Sequence, residues 1–256
     1  MRAIITGASS GIGRALAHEL AKRGYELALL ARRTDLLDGL VSELRTRSVA
    51  IACDVIDAAA VRDAVQRAQM ELGGPFDLAI ANAGVSIPGH ATKFNIAEAE
   101  QIIRVNVLGL MYLYDAVIPS MVERNSGRFV GVASIAGLRG LPTAGPYSAS
   151  KAAVQAFLEA ARIELKPYGV GVTIVNPGFV ATPMTEKNRF RMPFLMQPDD
   201  AAVIIADGIE RGDRVVEFPR PMSLLMRVTR YLPDALYERM MVPYARRRND
   251  PSKDKR

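Results

Sequence analysis

Short apolar runs at 3–6, 26–31, 49–53, 78–81, 128–133 and 170–175, each bounded by glycine or charge, alternate along this chain with longer segments of helical period. The runs are too short for independent helices and lack the polar alternation of a half-solvated strand, so they suit strands buried on both faces. The segments between them, 12–22, 36–44, 61–72, 97–122 and 147–166, repeat apolar residues every three to four positions, as core-facing helices do. Strand and helix in alternation imply right-handed crossovers, and hence an α/β fold with a doubly wound parallel sheet and helices on both faces. Ligands of such a sheet gather beyond the carboxyl ends of its strands. The residues just after each apolar run are therefore the place to seek function.

With 256 residues, 49% hydrophobic and 23% charged, the chain can bury one sizeable core. Residues 1–219 are expected to form that domain and 220–256 an extension. Cys53 is the only cysteine and excludes an intrachain disulfide, while Met1 leads into Ala3-Ile4-Ile5 without a signal-like stretch. A reducing, cytoplasmic setting is expected. No apolar run reaches the roughly 18 to 20 residues of a membrane span, and His18, His90 and Cys53 make no metal-ligand cluster, so no metal is expected. His90 lies in a loop and is given no role.

The first strand leads into Thr6-Gly7-Ala8-Ser9-Ser10-Gly11-Ile12-Gly13. A glycine-rich strand-to-helix turn lets the backbone approach a ligand closely, and amides at the helix start attract a pyrophosphate. The Ser9 and Ser10 hydroxyls face the same anion. The second strand ends Ala31-Arg32-Arg33, where nucleotide folds selecting NAD carry an acid for the ribose 2′-hydroxyl. Guanidinium groups suit the 2′-phosphate of NADP instead. The cofactor is therefore expected to be NADP (NADPH), the alternative being solvated charges at a helix entry with Asp35 close behind.

Tyr147 and Lys151 are four residues apart in Tyr147-Ser148-Ala149-Ser150-Lys151, which on a helix stacks phenol and ammonium one turn apart. A cation there favours phenolate and brings the tyrosine towards the range useful for general acid catalysis. Ser134, thirteen residues upstream, can hydrogen-bond the same substrate oxygen. The bare pair recurs by chance on solvated helix faces, so its meaning depends on its surroundings.

Taken with those surroundings, the chain resembles the short-chain dehydrogenase/reductase family over roughly residues 2–217. Thr6-Gly7, Gly11 and Gly13 match its cofactor loop, Asp54-Val55 its adenine-contacting pair, and Asn82-Ala83-Gly84 the turn beside the cofactor. Asn106, Ser134, Tyr147 and Lys151 match its catalytic set, and Pro177-Gly178 with Val180 and Thr182 the segment capping the nicotinamide. The resemblance implies a single-domain Rossmann-type fold and hydride exchange between NADPH and a carbonyl or secondary alcohol. Tyr147 would supply the proton, and Ser134 would hold the oxygen. Lys151 would lower the Tyr147 pKa and bond the nicotinamide ribose, with Asn106 holding a water for proton resupply. The bland alternatives are a strand-end cap for Ser134, a backbone-satisfying amide for Asn106 and a helix start for Asp54. A catalytically silent NADP-sensing or scaffold protein on the same fold is the rival reading. The resemblance also implies a homodimer or homotetramer built on segments 97–122 and 147–166.

Substrate choice should fall to 137–145 and 179–196. In the latter, Met184, Phe190, Met192, Phe194, Leu195 and Met196 could form an adaptable lid for an apolar or lipid-like substrate, or ordinary core under a long loop. Residues 220–256 carry ten Lys or Arg against four Asp or Glu, a net +6 equal to that of the whole chain. Two short amphipathic helices are expected there, divided near Pro233 and stopped near Pro243, with 246–256 a disordered tail. They could cover the pocket, join subunits, or make peripheral contact with an anionic membrane surface. No nucleic acid is expected as a partner, since no reading motif is present.

Overall fold

The computed structural model describes residues 1–186, 188 and 192–248. Among them, β1 (Arg2–Thr6), β2 (Glu26–Ala31), β3 (Ser48–Ala52), β4 (Leu78–Ala81), β5 (Gly127–Val132), β6 (Val170–Pro177) and β7 (Val215–Phe218) form one sheet in the order β3-β2-β1-β4-β5-β6-β7. Every pairing is parallel. The helices are α1 (Gly11–Lys22), α2 (Thr34–Glu43), α3 (Ala58–Leu72), α4 (Ile96–Ile103), α5 (Gly109–Glu123), α6 (Gly145–Leu165), α7 (Pro198–Arg211), α8 (Arg220–Tyr231) and α9 (Asp234–Arg248). The order reverses between β1 and β4, which opens a crevice at their carboxyl ends.

Two cores flank the sheet. On one face Leu16 and Leu20 of α1, Leu37 and Leu40 of α2, and Ile205 of α7 pack against the strands. On the other, Val61 and Val65 of α3, Leu113 and Val117 of α5, and Leu158 of α6 do so. The buried central strands are apolar at successive positions because both of their faces meet helices.

The six anticipated strands and five anticipated helical segments all form; β7 and α7 are additions. The segment 97–122 belongs to a continuous helix, 96–123, interrupted by a π turn at Arg104–Leu108. By length and apolarity it could cross a membrane, but its Leu110, Leu113, Val117 and Met121 are buried in the core. In the extension, α8 ends before Pro233 as expected, whereas α9 runs through Pro243 to Arg248 rather than stopping there. Proline forfeits one backbone hydrogen bond, and helix-favouring Ala245 and the arginines after it carry the helix past. Of the anticipated tail, 246–248 are helical and 249–256 lie outside the described residues.

Candidate functional site

The glycine loop is built by close approach. Gly7 adopts φ 67° and Gly11 φ 56°, and a Cβ on Gly13 would lie 2.4 Å from the Gly7 carbonyl oxygen and 2.5 Å from Asn82 Nδ2. No side chain fits there, so α1 starts flush against the turn after β4. Asn82 fastens the two, its Nδ2 donating to the carbonyls of Thr6 at 3.0 Å and Gly7 at 3.2 Å. Thr6 returns the contact through Oγ1, which accepts from the amides of Asn82 at 3.1 Å and Ala83 at 3.2 Å.

The start of α1 suits an anion. Ser10 occupies the cap position without a side-chain capping bond, and no acidic residue lies in the first turn. First-turn amides and the positive end of the helix dipole therefore point at the crevice unopposed by a side-chain carboxylate. Arg33, rather than Arg32, reaches back over this loop, its guanidinium donating to Ser9 Oγ at 3.1 Å and Ser10 Oγ at 3.3 Å. Ile12 packs partly buried on the α1 side of the sheet. The residues present thus fit the pyrophosphate of a dinucleotide.

Arg32 lies elsewhere. With Asp54, Ile56, Ala97, Arg104 and Val105 it lines a cavity of about 290 Å³ at the carboxyl ends of β2 and β3. Asp54 is not the cap of α3, a task taken by Asp57, whose carboxylate accepts the Ala59 amide at 2.9 Å and the Ala60 amide at 3.1 Å. The Val55 side chain is buried against α5, since a Cβ on Gly109 would come 2.9 Å from its Cγ2.

Beyond β5, Ser134, Tyr147 and Lys151 come together with Asn106. Ser134 is buried; its Oγ accepts the Ala136 amide at 3.1 Å, capping the turn Ile135–Gly137, and donates to the Pro177 carbonyl at 3.3 Å. Its hydroxyl is also close enough to the Tyr147 phenol to influence it. Lys151, 4% exposed, donates from Nζ to the Val132 carbonyl at 2.7 Å and lies 5.8 Å from the centre of the Tyr147 ring. Burial lowers its pKa to about 8. Burial also raises the Tyr147 pKa, the Ser134 hydroxyl being the opposing influence. Lys151, expected to depress the phenol, is not among the influences on it: the ammonium is itself desolvated and is committed to a backbone oxygen.

The Asn106 side chain serves the backbone. Its Oδ1 accepts the Val85 amide at 2.8 Å, and its Nδ2 donates to the Val85 carbonyl and Ser150 Oγ, both at 3.0 Å. A Cβ on Gly84 would lie 3.3 Å from Asn106 Oδ1 and 3.5 Å from Lys151 Nζ, so glycine there keeps the space between them open.

Several residues of this neighbourhood escaped the sequence reading. Gln155, one further helical turn from Lys151 and therefore discoverable from its spacing, donates to the Ser134 carbonyl at 2.8 Å and to Asn176 Oδ1 at 2.9 Å. Asn176 donates to Glu217 at 3.0 Å, and Glu217 in turn receives Arg227 of α8 at 2.9 Å. Arg139, in the loop after Ser134, donates to the carbonyls of Thr229 at 2.8 Å, Arg230 at 3.0 Å and Leu232 at 2.9 Å, and pairs with Asp234 at 2.7 Å. Nothing in its local sequence marks it. His90 accepts the Thr92 amide at 3.2 Å and so caps the turn Ala91–Lys93.

At the cap, a Cβ on Gly178 would meet Pro219 Cδ at 2.9 Å and Met222 Sδ at 3.1 Å, which puts the start of α8 directly behind Pro177-Gly178. Val180 bridges to Met196, and a Cβ on Gly11 would lie 2.9 Å from Thr182 Cγ2, so this segment closes over the glycine loop. Of the anticipated lid residues, Met184, Phe194 and Leu195 are exposed, while Met196 packs against the core. Met192 is half-buried. Phe190 lies outside the described residues. Core packing therefore accounts for Met196 but not for Phe194 or Leu195.

The family model for short chain dehydrogenase matches residues 1–192. An uncharacterised oxidoreductase of Myxococcus xanthus is 41% identical over 239 residues, spanning 92% of this chain and 94% of the relative. The ketoacyl reductase HetN of Nostoc is 37% identical over 196 residues, 75% of this chain and 68% of that one. Among solved structures, a short chain dehydrogenase/reductase from Burkholderia phymatum in complex with NAD superposes with a TM-score of 0.82 at 26% identity, covering 88% of this chain and 91% of its own. A short-chain dehydrogenase from Sphingobium yanoikuyae in complex with NADPH gives 0.78 at 28% identity, covering 85% and 87%.

Proposed function

The chain belongs to the short chain dehydrogenase family, and from that premise we propose that it is an NADP-dependent oxidoreductase reducing an apolar or lipid-like ketone. One observation carries the reading: Ser134, Tyr147 and Lys151 converge at the carboxyl end of β5, with Lys151 Nζ 5.8 Å from the centre of the Tyr147 ring, beside an uncapped helix start suited to a dinucleotide pyrophosphate.

Bound NADPH would supply the hydride, which adds to the carbonyl carbon. Tyr147 gives its hydroxyl proton to the carbonyl oxygen as the C=O π bond becomes an O–H bond, and Ser134 Oγ–H donates to that oxygen as charge develops on it. The phenolate left behind is stabilised by the Lys151 ammonium, which a ligand beside it can draw away from Val132. With the Asn106 side chain engaged, holding a water for proton resupply falls to the backbone of the Arg104–Leu108 turn. Gly7, Gly11 and Gly13 hold the pyrophosphate, Arg33 with Ser9 and Ser10 the 2′-phosphate, and the cavity lined by Arg32 and Asp54 the adenine. The exposed Phe194 and Leu195 support an apolar substrate. The same reading places the enzyme in the cytoplasm as a homodimer or homotetramer, supported by Ile96 at 70% and Ile163 at 74% exposure on α4 and α6.

A panel of ketones graded by chain length and bulk, followed by NADPH absorbance, tests it. Turnover rising with apolar length is the expected result. Tight NADPH binding with no turnover of any ketone would favour the silent sensor.

A further inference from the structure

The extension turns an apolar face outward. On α8, Leu224, Leu225, Val228 and Tyr231 are 66%, 60%, 53% and 84% exposed. Their spacing of i, i+1, i+4 and i+7 makes them one stripe along the helix. The opposite side holds Ser223 and Thr229, which are buried, and Met222, which meets the cap segment at Gly178. The stripe therefore does not line the substrate site. Nor is the helix free to turn it inward: Arg139 binds three carbonyls at the carboxyl end of α8, and Glu217 binds Arg227 on its flank. The exposed Arg220, one turn before Leu224, lies at the edge of the stripe.

We infer that this face of α8 docks on an anionic lipid surface. Charge selects the occupant. Residues 1–219 are electrically balanced and the whole +6 of the chain falls in 220–256, where α8 itself carries Arg220, Arg227 and Arg230 and no acid, so the stripe belongs to the positive end of the chain, the end that would turn towards a negative interface. A helix with apolar side chains dipping below the headgroups and guanidinium groups at their level is the geometry of interfacial binding. Each cation near such a surface favours it roughly fivefold at low salt. A second copy of this chain would instead set two positive extensions against each other. The inference does not rest on the reductase reading, because partition is measured without turnover.

Co-sedimentation of the full chain with phosphatidylcholine vesicles, and with vesicles containing about one-third phosphatidylglycerol, tests it. The protein is expected to sediment with the anionic vesicles, to be released by salt, and to stay in solution with the neutral ones. The double variant Leu224→Asp/Val228→Asp should lose sedimentation at least tenfold, and Arg220→Glu should lose it roughly fivefold or more while keeping the stripe, with the circular dichroism of both unchanged. Equal sedimentation with both vesicle types, no sedimentation, or a fall in oligomeric state of Leu224→Asp/Val228→Asp in the absence of lipid would overturn it. The last result would assign the stripe to a second copy.

Discussion

Arg33 donates to Ser9 Oγ across the mouth of the glycine loop at 3.1 Å, while its neighbour Arg32 lines the cavity beside Asp54. Two adjacent arginines thus face different parts of a dinucleotide site. A 2′-phosphate bound near Ser9 would replace the serine hydroxyls as the partner of Arg33, trading neutral hydrogen bonds for charge-assisted ones. Such bonds contribute about 1.5–3 kcal/mol. Arg33→Ala should therefore weaken NADPH by about tenfold to a hundredfold, as read by fluorescence titration, and barely change NADH. Equal loss of both nucleotides would remove Arg33 as the reader of the phosphate.

Tyr147→Phe should separate chemistry from binding. The phenyl ring keeps the packing of the partly buried side chain and loses only the hydroxyl close to Ser134. General acid catalysis contributes typically about 10²- to 10⁴-fold, so kcat with any accepted ketone should fall by at least that lower bound with the NADPH Kd unchanged. Unaltered turnover would exclude Tyr147 as the proton donor.

The sheet was legible because burial on both faces writes itself as continuous apolar runs, and the glycine loop because only one backbone shape lets α1 abut Asn82. Less was legible where the residues themselves are ordinary. β7 is four residues long with Glu217 in its middle, a pattern indistinguishable from a loop until β6 supplies its hydrogen bonds. The π turn at Asn106 leaves no periodic trace over five residues. Arg33 and Arg32 read alike in sequence, since only the path of the chain after β2 decides which one turns back to Ser9. The same holds for Arg139, whose partners are about 90 residues away.

Arg139 should decide whether the extension stays on the body. Its side chain is 13% exposed, bonds the end of α8, pairs with Asp234 and stacks 4.2 Å from the centre of the Tyr237 ring. The Tyr237 hydroxyl donates to the Gly140 carbonyl at 2.6 Å, closing the loop. Arg139→Ala strands the α8 carbonyls and should cost about 2–4 kcal/mol locally. Hydrogen exchange should then accelerate in α8 and α9 while the strands keep their protection. Unchanged exchange in 220–248 would show that the extension is held by other contacts.

Lys151 gives the cofactor-free protein a pH dependence of unusual sign. Burial lowers its pKa from 10.5 to about 8, so the native state releases this proton before the unfolded chain does. Below pH 8 both states carry it, and folding bears the full cost of burying the ammonium, roughly 3 kcal/mol for a shift of this size. Between about pH 8 and 10.5 the unfolded state binds more protons than the native state, so stability must rise with pH. Cys53 opposes this further up, because burial raises its thiol from 9.0 to about 11 and stability is lost as the unfolded thiol ionises above pH 9. The interval from pH 8 to 9 is therefore where Lys151 dominates. Urea midpoints of the cofactor-free protein should rise across that interval, and in Lys151→Met the rise should vanish while the stability at pH 7 increases. A midpoint that falls equally in both proteins from pH 8 to 9 would mean that the ammonium is not desolvated. With NADPH bound the rise should shrink, since ribose hydroxyls accepting hydrogen bonds from Lys151 favour its charged form and return the proton to the native state.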